Sequence, residues 1–79
     1  MTVKTKLRRV VHAIVSPDED GYVAACIEIA AVTQGSTLAE TIRNLEEAAT
    51  LYFEGENLPE LGFSRRPRLR IRFDIPLNL

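Results

Sequence analysis

Cysteine and histidine are each present once in this 79-residue chain, as Cys26 and His12. A lone cysteine excludes an internal disulfide, and with no second thiol or histidine nearby in sequence it has no zinc-type spacing. No apolar run approaches the ~20 residues of a membrane span. The run Val10–Val15 is interrupted by His12 and stops at Ser16-Pro17, and the residues before it lack the pattern of a secretory leader. Internal repeats, linkers and low-complexity segments are missing as well. These absences make a cytoplasmic protein without metal or cofactor the expectation.

Basic residues are scarce over most of the chain. Residues 10–64 hold ten acids and a single base, Arg43, whereas residues 1–9 and 65–79 hold nine bases and one acid, Asp74. The overall net charge of −1 therefore hides a middle of −9 between ends that sum to +8. If the ends adjoin in the fold, one region is basic and another acidic, which guides encounters with charged partners without naming them. A content of 46 % hydrophobic and 27 % charged residues is that of a folded globular protein and not of a disordered one. Residues 1–79 make one domain with a thin core, burying about 60–65 % of the surface of the unfolded chain. Domains this small often gain stability by self-association.

The local pattern predicts an α+β domain with the order β-β-β-α-β. β-Branched residues favour a strand over residues 5–15, and Ser16–Gly21 reads as a turn. Tyr22–Ile29 follows as a second strand, with Val23, Ala25, Ile27 and Ile29 on one face and Tyr22, Ala24, Cys26 and Glu28 on the other. The short connection demands an antiparallel hairpin. Val32–Gly35 makes a third strand, completing a three-stranded antiparallel sheet. Thr37-Leu38-Ala39-Glu40 fits a capping box, in which Thr37 accepts from the backbone of Glu40 and Glu40 reaches back. The helix runs from about Leu38 to Glu54 with Leu38, Ile42, Leu45, Ala49 and Tyr52 as its apolar stripe, and Gly55 ends it. After a loop over residues 56–67, Arg68–Ile75 alternates strictly: Leu69, Ile71, Phe73 and Ile75 one way, Arg68, Arg70, Arg72 and Asp74 the other. Gly21, Gly35 and Thr37 are the residues expected to shape the turns and the cap.

The segments Gly21–Ile29 and Thr33-Gln34-Gly35-Ser36-Thr37-Leu38, followed by Glu46-Glu47-Ala48-Ala49 and Leu51-Tyr52, resemble the HicB antitoxin family over residues 9–54. The resemblance implies a partial ribonuclease H-like fold and a toxin–antitoxin role: binding and masking a HicA-type toxin that cleaves messenger RNA. Where the family usually has proline and glycine around the third strand, this chain has Ile27 and Ala30-Ala31. It ends soon after its last strand, without room for the helix-turn-helix that many relatives carry, so the resemblance implies the toxin-binding half alone.

Each chemistry-bearing group has a plain alternative. Asp18, Glu19, Asp20 and Glu28 invite a metal-dependent nuclease, but three of the four are consecutive in a turn, where solvent accommodates them. His12 and Cys26 share a hairpin, yet no third orienting group or oxyanion-binding motif accompanies them. Neither set predicts an enzyme. Arg68, Arg70 and Arg72, with Arg65 and Arg66 before them, suit either phosphates, a charge-protected edge strand, or an acidic protein surface. No aromatic residue interleaves with them, as single-strand-binding sheets usually require. Glu40, Glu46 and Glu47 are either solubilising charges or mimics of RNA phosphates for a basic toxin. The expected partners are thus a HicA-type toxin and further copies of the chain, as dimer or tetramer. A stand-alone nucleic-acid-binding domain using the arginines is the alternative, and no membrane is expected.

Overall fold

A computed structural model describes residues 6–79. Thr5, where the first strand was expected to begin, and Lys4 of the basic N-terminal cluster lie outside them. The β-branched stretch forms β1 (Arg8–Asp18), which continues through Ser16-Pro17 and leaves only Glu19-Asp20 as the hairpin loop. β2 (Gly21–Cys26) returns antiparallel, with Ala13 opposite Cys26 and Asp18 opposite Gly21. β3 (Val32–Gly35) pairs antiparallel with β2. The helix α1 (Leu38–Phe53) is followed by a short 3-10 turn over Leu58–Leu61 and then by β4 (Phe63–Phe73).

The sheet differs from the expectation of three antiparallel strands. It has four, ordered β3-β2-β1-β4, and β4 lies parallel to β1. Chain direction requires this. β3 runs the same way as β1, since both are antiparallel to β2. The 16 residues of α1 carry the chain back by about 24 Å, so the next strand must run with β3 and β1. Parallel neighbours need such a crossover. β4 also begins five residues before Arg68 and passes through Pro67, with a break in register between Arg8 and Val10.

The backbone N–H of Asp74 donates to the carbonyl of Val15 at 3.0 Å. Alternation then points the N–H groups of Arg68, Arg70 and Arg72 toward β1 and those of Leu69, Ile71 and Phe73 outward. Pro67 falls on the outward side, so its missing N–H removes no bond to β1. This is the position in which an edge strand tolerates proline.

One sheet face is covered and one is open. Val11, Ala13 and Val15 of β1 and Ala24 of β2 are buried under α1, together with Leu45 of the helix. A second group, Val11, Ile29, Ala31 and Phe63, continues the core toward the C-terminal end of α1, where Ala49, Phe53 and Leu58 pack on it. Of the two faces that alternation gives β2, the covered one is Tyr22, Ala24 and Cys26. Both faces of β2 are apolar, and small Ala24 lets the helix approach. Ile27 is 61 % exposed. The helix stripe is likewise turned from the expected one: Thr41 and Leu45 are buried, Leu38 and Tyr52 exposed. Thr41 is tolerated inside because its hydroxyl donates to the carbonyl of Thr37 at 2.7 Å.

Gly21, Gly35 and Thr37 lie where β2, β3 and the start of α1 come together. Thr37 is the N-cap, its hydroxyl accepting from the N–H of Glu40 at 3.1 Å. The carboxylate of Glu40 accepts from the hydroxyl of Ser36 at 3.0 Å, in place of the Thr37 N–H that a capping box would supply. A Cβ on Gly35 would stand 2.7 Å from the N of Thr41, and one on Gly21 would stand 2.8 Å from the Cα of Ser36. Both glycines permit β2, β3 and the start of α1 to meet.

Candidate interaction surfaces

The open face of the sheet carries the arginines. Val10, His12 and Ile14 of β1 lie in register with Arg68, Arg70 and Arg72 of β4, and all six project away from α1 by strand alternation. The parallel β1–β4 pairing also sets Arg8 opposite Phe63 at the start of β4, two residues before Arg65. Arg72 approaches Asp74 at 3.8 Å with both side chains well exposed, a pair worth little by itself. Among the described residues Arg68 and Arg70 have no acidic neighbour within 4.0 Å.

His12 and Glu28 form a contact that neither residue's neighbours in sequence announce. The Glu28 carboxylate accepts from the backbone N–H of His12 at 2.7 Å and is also hydrogen-bonded to its Nδ1. The N–H of Ile27 donates to the carbonyl of His12 at 2.8 Å. Glu28 thus fastens the end of β2 to β1, and it does not join Asp18, Glu19 and Asp20, which sit at the opposite, hairpin end of the ladder. No group of three metal-ligating side chains is gathered among the described residues. Burial opposes the charged carboxylate, but the hydrogen bonds from the His12 side chain and backbone outweigh it and hold the Glu28 carboxyl below its ordinary value of 4.5. A lowered carboxyl contributes stability above its unfolded value and loses it as pH falls through the folded one. Glu28→Gln should therefore cost about 1 kcal/mol at neutral pH. Denaturant melts of the two proteins should converge as pH is taken well below the carboxylate range; a gap independent of pH would contradict this assignment.

Cys26 lies on the covered face, packed with the core, while His12 is on the open one. The two do not meet. Burial and the nearby negative charge of Glu28 raise the Cys26 thiol above its ordinary value, so it stays protonated near neutrality and lacks the thiolate a nucleophile needs.

Glu47 lies on the outer side of α1 with Leu51, whereas Glu46 also borders the groove between α1 and β4 that Arg65 and Arg68 line. Glu46 and Glu47 are exposed and, with Arg43 and Thr50, surround Leu51, which is 67 % exposed. Glu40 is half-buried at the cap and engaged by Ser36. The six residues singled out for partner binding therefore do not form one site: Glu40 is at the cap, Glu47 on the outer helix surface and Arg70 and Arg72 on the open sheet face, and only Glu46 and Arg68 border a common groove. Leu51 at the centre of the acidic surface was missed, since helical spacing marks it only as off the stripe.

A further groove runs between the C-terminal half of α1 and β4, with a volume of about 480 Å³. Ala49, Phe53, Leu58, Pro67 and Leu69 make its apolar floor and walls, and Glu46, Glu54 and Arg65 stand at the rim. It exists because α1 lies over β2 and β3, leaving β4 to the 3-10 turn.

No protein-family model, curated protein or solved structure matches this chain. Among the described residues no helix is long and apolar enough to cross a membrane.

Proposed function

We propose that the chain is an antitoxin-like binding module of the HicB type, acting in the cytoplasm by covering a HicA-type ribonuclease rather than by catalysis. The observation that carries this reading is the sheet order β3-β2-β1-β4 with β4 parallel to β1 and one helix across it. Such an arrangement accords with the partial ribonuclease H-like fold that the Thr33–Leu38 segment implies. The acidic helix surface supplies a fitting contact: an exposed Leu51 rimmed by Glu46 and Glu47 offers an apolar anchor within a field that attracts an RNA-binding, basic protein.

Co-expression with a HicA-type toxin, taken from beside this chain's own gene where one is encoded there, tests the reading directly. Rescue of growth and a co-purifying complex are expected. Glu46→Lys with Glu47→Lys should slow association about tenfold and reverse its salt dependence, with little change in folding. Absence of both rescue and complex would remove the antitoxin reading. The second reading, a nucleic-acid-binding domain, is favoured by one observation, the unpaired Arg68 and Arg70 on an open face. Gel-shift titrations in rising salt decide it, because phosphate contacts make affinity fall steeply with salt.

A further inference from the structure

The outer edge of β4 is the least protected part of the molecule. β3, the opposite edge, has four residues and is tied to the helix by Asn44, whose side-chain amide donates to the carbonyl of Gln34 at 2.9 Å. β4 has eleven residues and no strand beyond it among the described residues. Its outward N–H groups are those of Leu69, Ile71 and Phe73. The same alternation continues past the strand: Ile75, Leu77 and Leu79 are 73 %, 78 % and 109 % exposed. They prolong the apolar face of β4 and are left uncovered by the described residues of their own copy.

We infer that β4 and the following residues 74–79 pair antiparallel with the same segment of a second copy, about a twofold axis at Phe73. Side-chain chemistry selects this register. A centre at residue 70 would set Arg70 against its counterpart and Arg68 against Arg72, and like charges directly opposite are unfavourable. A centre at Phe73 sets Arg72 of each copy opposite Asp74 of the other, Arg70 opposite Pro76 and Arg68 opposite Asn78. On the helix-side face Ile71 then meets Ile75, Leu69 meets Leu77, and Pro67 meets Leu79. The Leu77 and Leu79 side chains arrive at the mouth of the apolar groove beside Leu69 and Pro67.

Backbone chemistry agrees with this register from residue 69 to residue 77, and only the end pair of Pro67 with Leu79 lacks one donor. Phe73, Ile71 and Leu69 fall at the hydrogen-bonded pairs, where their outward N–H groups are used. Pro76 falls at a non-bonded pair, where its missing N–H costs nothing between copies. The contact is isologous and closes after two copies, giving a continuous eight-stranded sheet with both acidic helix surfaces left free.

Light scattering on the full chain at about 10 μM should give twice the monomer mass. Ile75→Lys with Leu77→Lys, both at exposed positions that leave the fold intact by circular dichroism, should give a monomer. Asp74→Arg should weaken the dimer about tenfold by facing two arginines across each pair, and Arg72→Asp combined with Asp74→Arg should restore it. Phe73→Cys should form a disulfide-linked dimer on mild oxidation, since directly opposed residues lie within disulfide reach. A monomeric parent, a dimer that survives the two lysines, or a double charge swap that fails to restore association would each overturn the inference.

Discussion

Gly35→Ala is expected to destabilise the domain by about 2–3 kcal/mol, the range for forcing atoms into a packed site. A domain of this size has about 4–12 kcal/mol in total, so the loss is a large fraction. The added Cβ would stand 2.5 Å from the hydroxyl of Thr41, 2.7 Å from its N and 3.0 Å from its Cα. Two of those three atoms are backbone within the first turn of α1, so no rotamer change relieves the contact. The helix start must move off β3. That strains the Thr37 cap, the Thr41 hydroxyl bond to Thr37 and the Asn44 bond to Gln34. Urea denaturation of parent and variant measures the effect. Thr41→Ala should recover only part of it, because it removes the hydroxyl and leaves the N and Cα in place. A Gly35→Ala protein within 0.5 kcal/mol of its parent would show that the β3–α1 junction is looser than its geometry indicates.

Local chemistry made the junction legible: Gly35, Ser36 and Thr37 stand where a strand must stop and a helix must be capped. The β1–β2 hairpin and the limits of α1 were legible for the same reason, since each depends on neighbours within a few residues. The parallel placement of β4 was not read, although chain direction implies it once β3 and α1 are placed in order. Pro67 disguised the start of that strand, because a proline counts against a strand unless its outer edge is known to be free. The choice of covered face on β2 was beyond periodicity altogether. Val23 and Ala25 alternate as well as Tyr22, Ala24 and Cys26, and each face offers a small alanine, so the pattern does not choose between them. Of the candidate site, the residue types were legible but their grouping was not. Glu46 and Glu47 share a helix face that spacing reveals, whereas His12 and Glu28 meet only through the β1–β2 register. The alternation that ends at Ile75 in a strand-length reading continues to Leu79, and that was the available signal for an extended edge.

Leu45→Ala should be the most damaging conservative truncation in the chain, at about 3–4 kcal/mol, within the range measured for leucine removed from packed interiors. Leu45 is fully buried in a cluster with Ala13, Val15 and Ala24, against which Tyr22, Cys26, Leu69 and Ile71 pack from the sheet. Two of its three cluster partners are alanines with nothing to extend into the space vacated, and all three belong to strands held by ladder bonds on both sides. The strands hold the backbone in place, so the cavity collapses only in part and its cost adds to the lost transfer energy. Leu45→Met, which keeps the volume, should cost less than about 1.5 kcal/mol. Leu51→Ala, six residues along the same helix but 67 % exposed, should change stability by less than about 0.5 kcal/mol. The contrast separates the two leucines by role. If Leu51 anchors a bound toxin, its removal weakens the complex while denaturation is unchanged, whereas loss of Leu45 lowers both together. Equal stability losses at the two positions would mean that α1 presents a different face to the sheet.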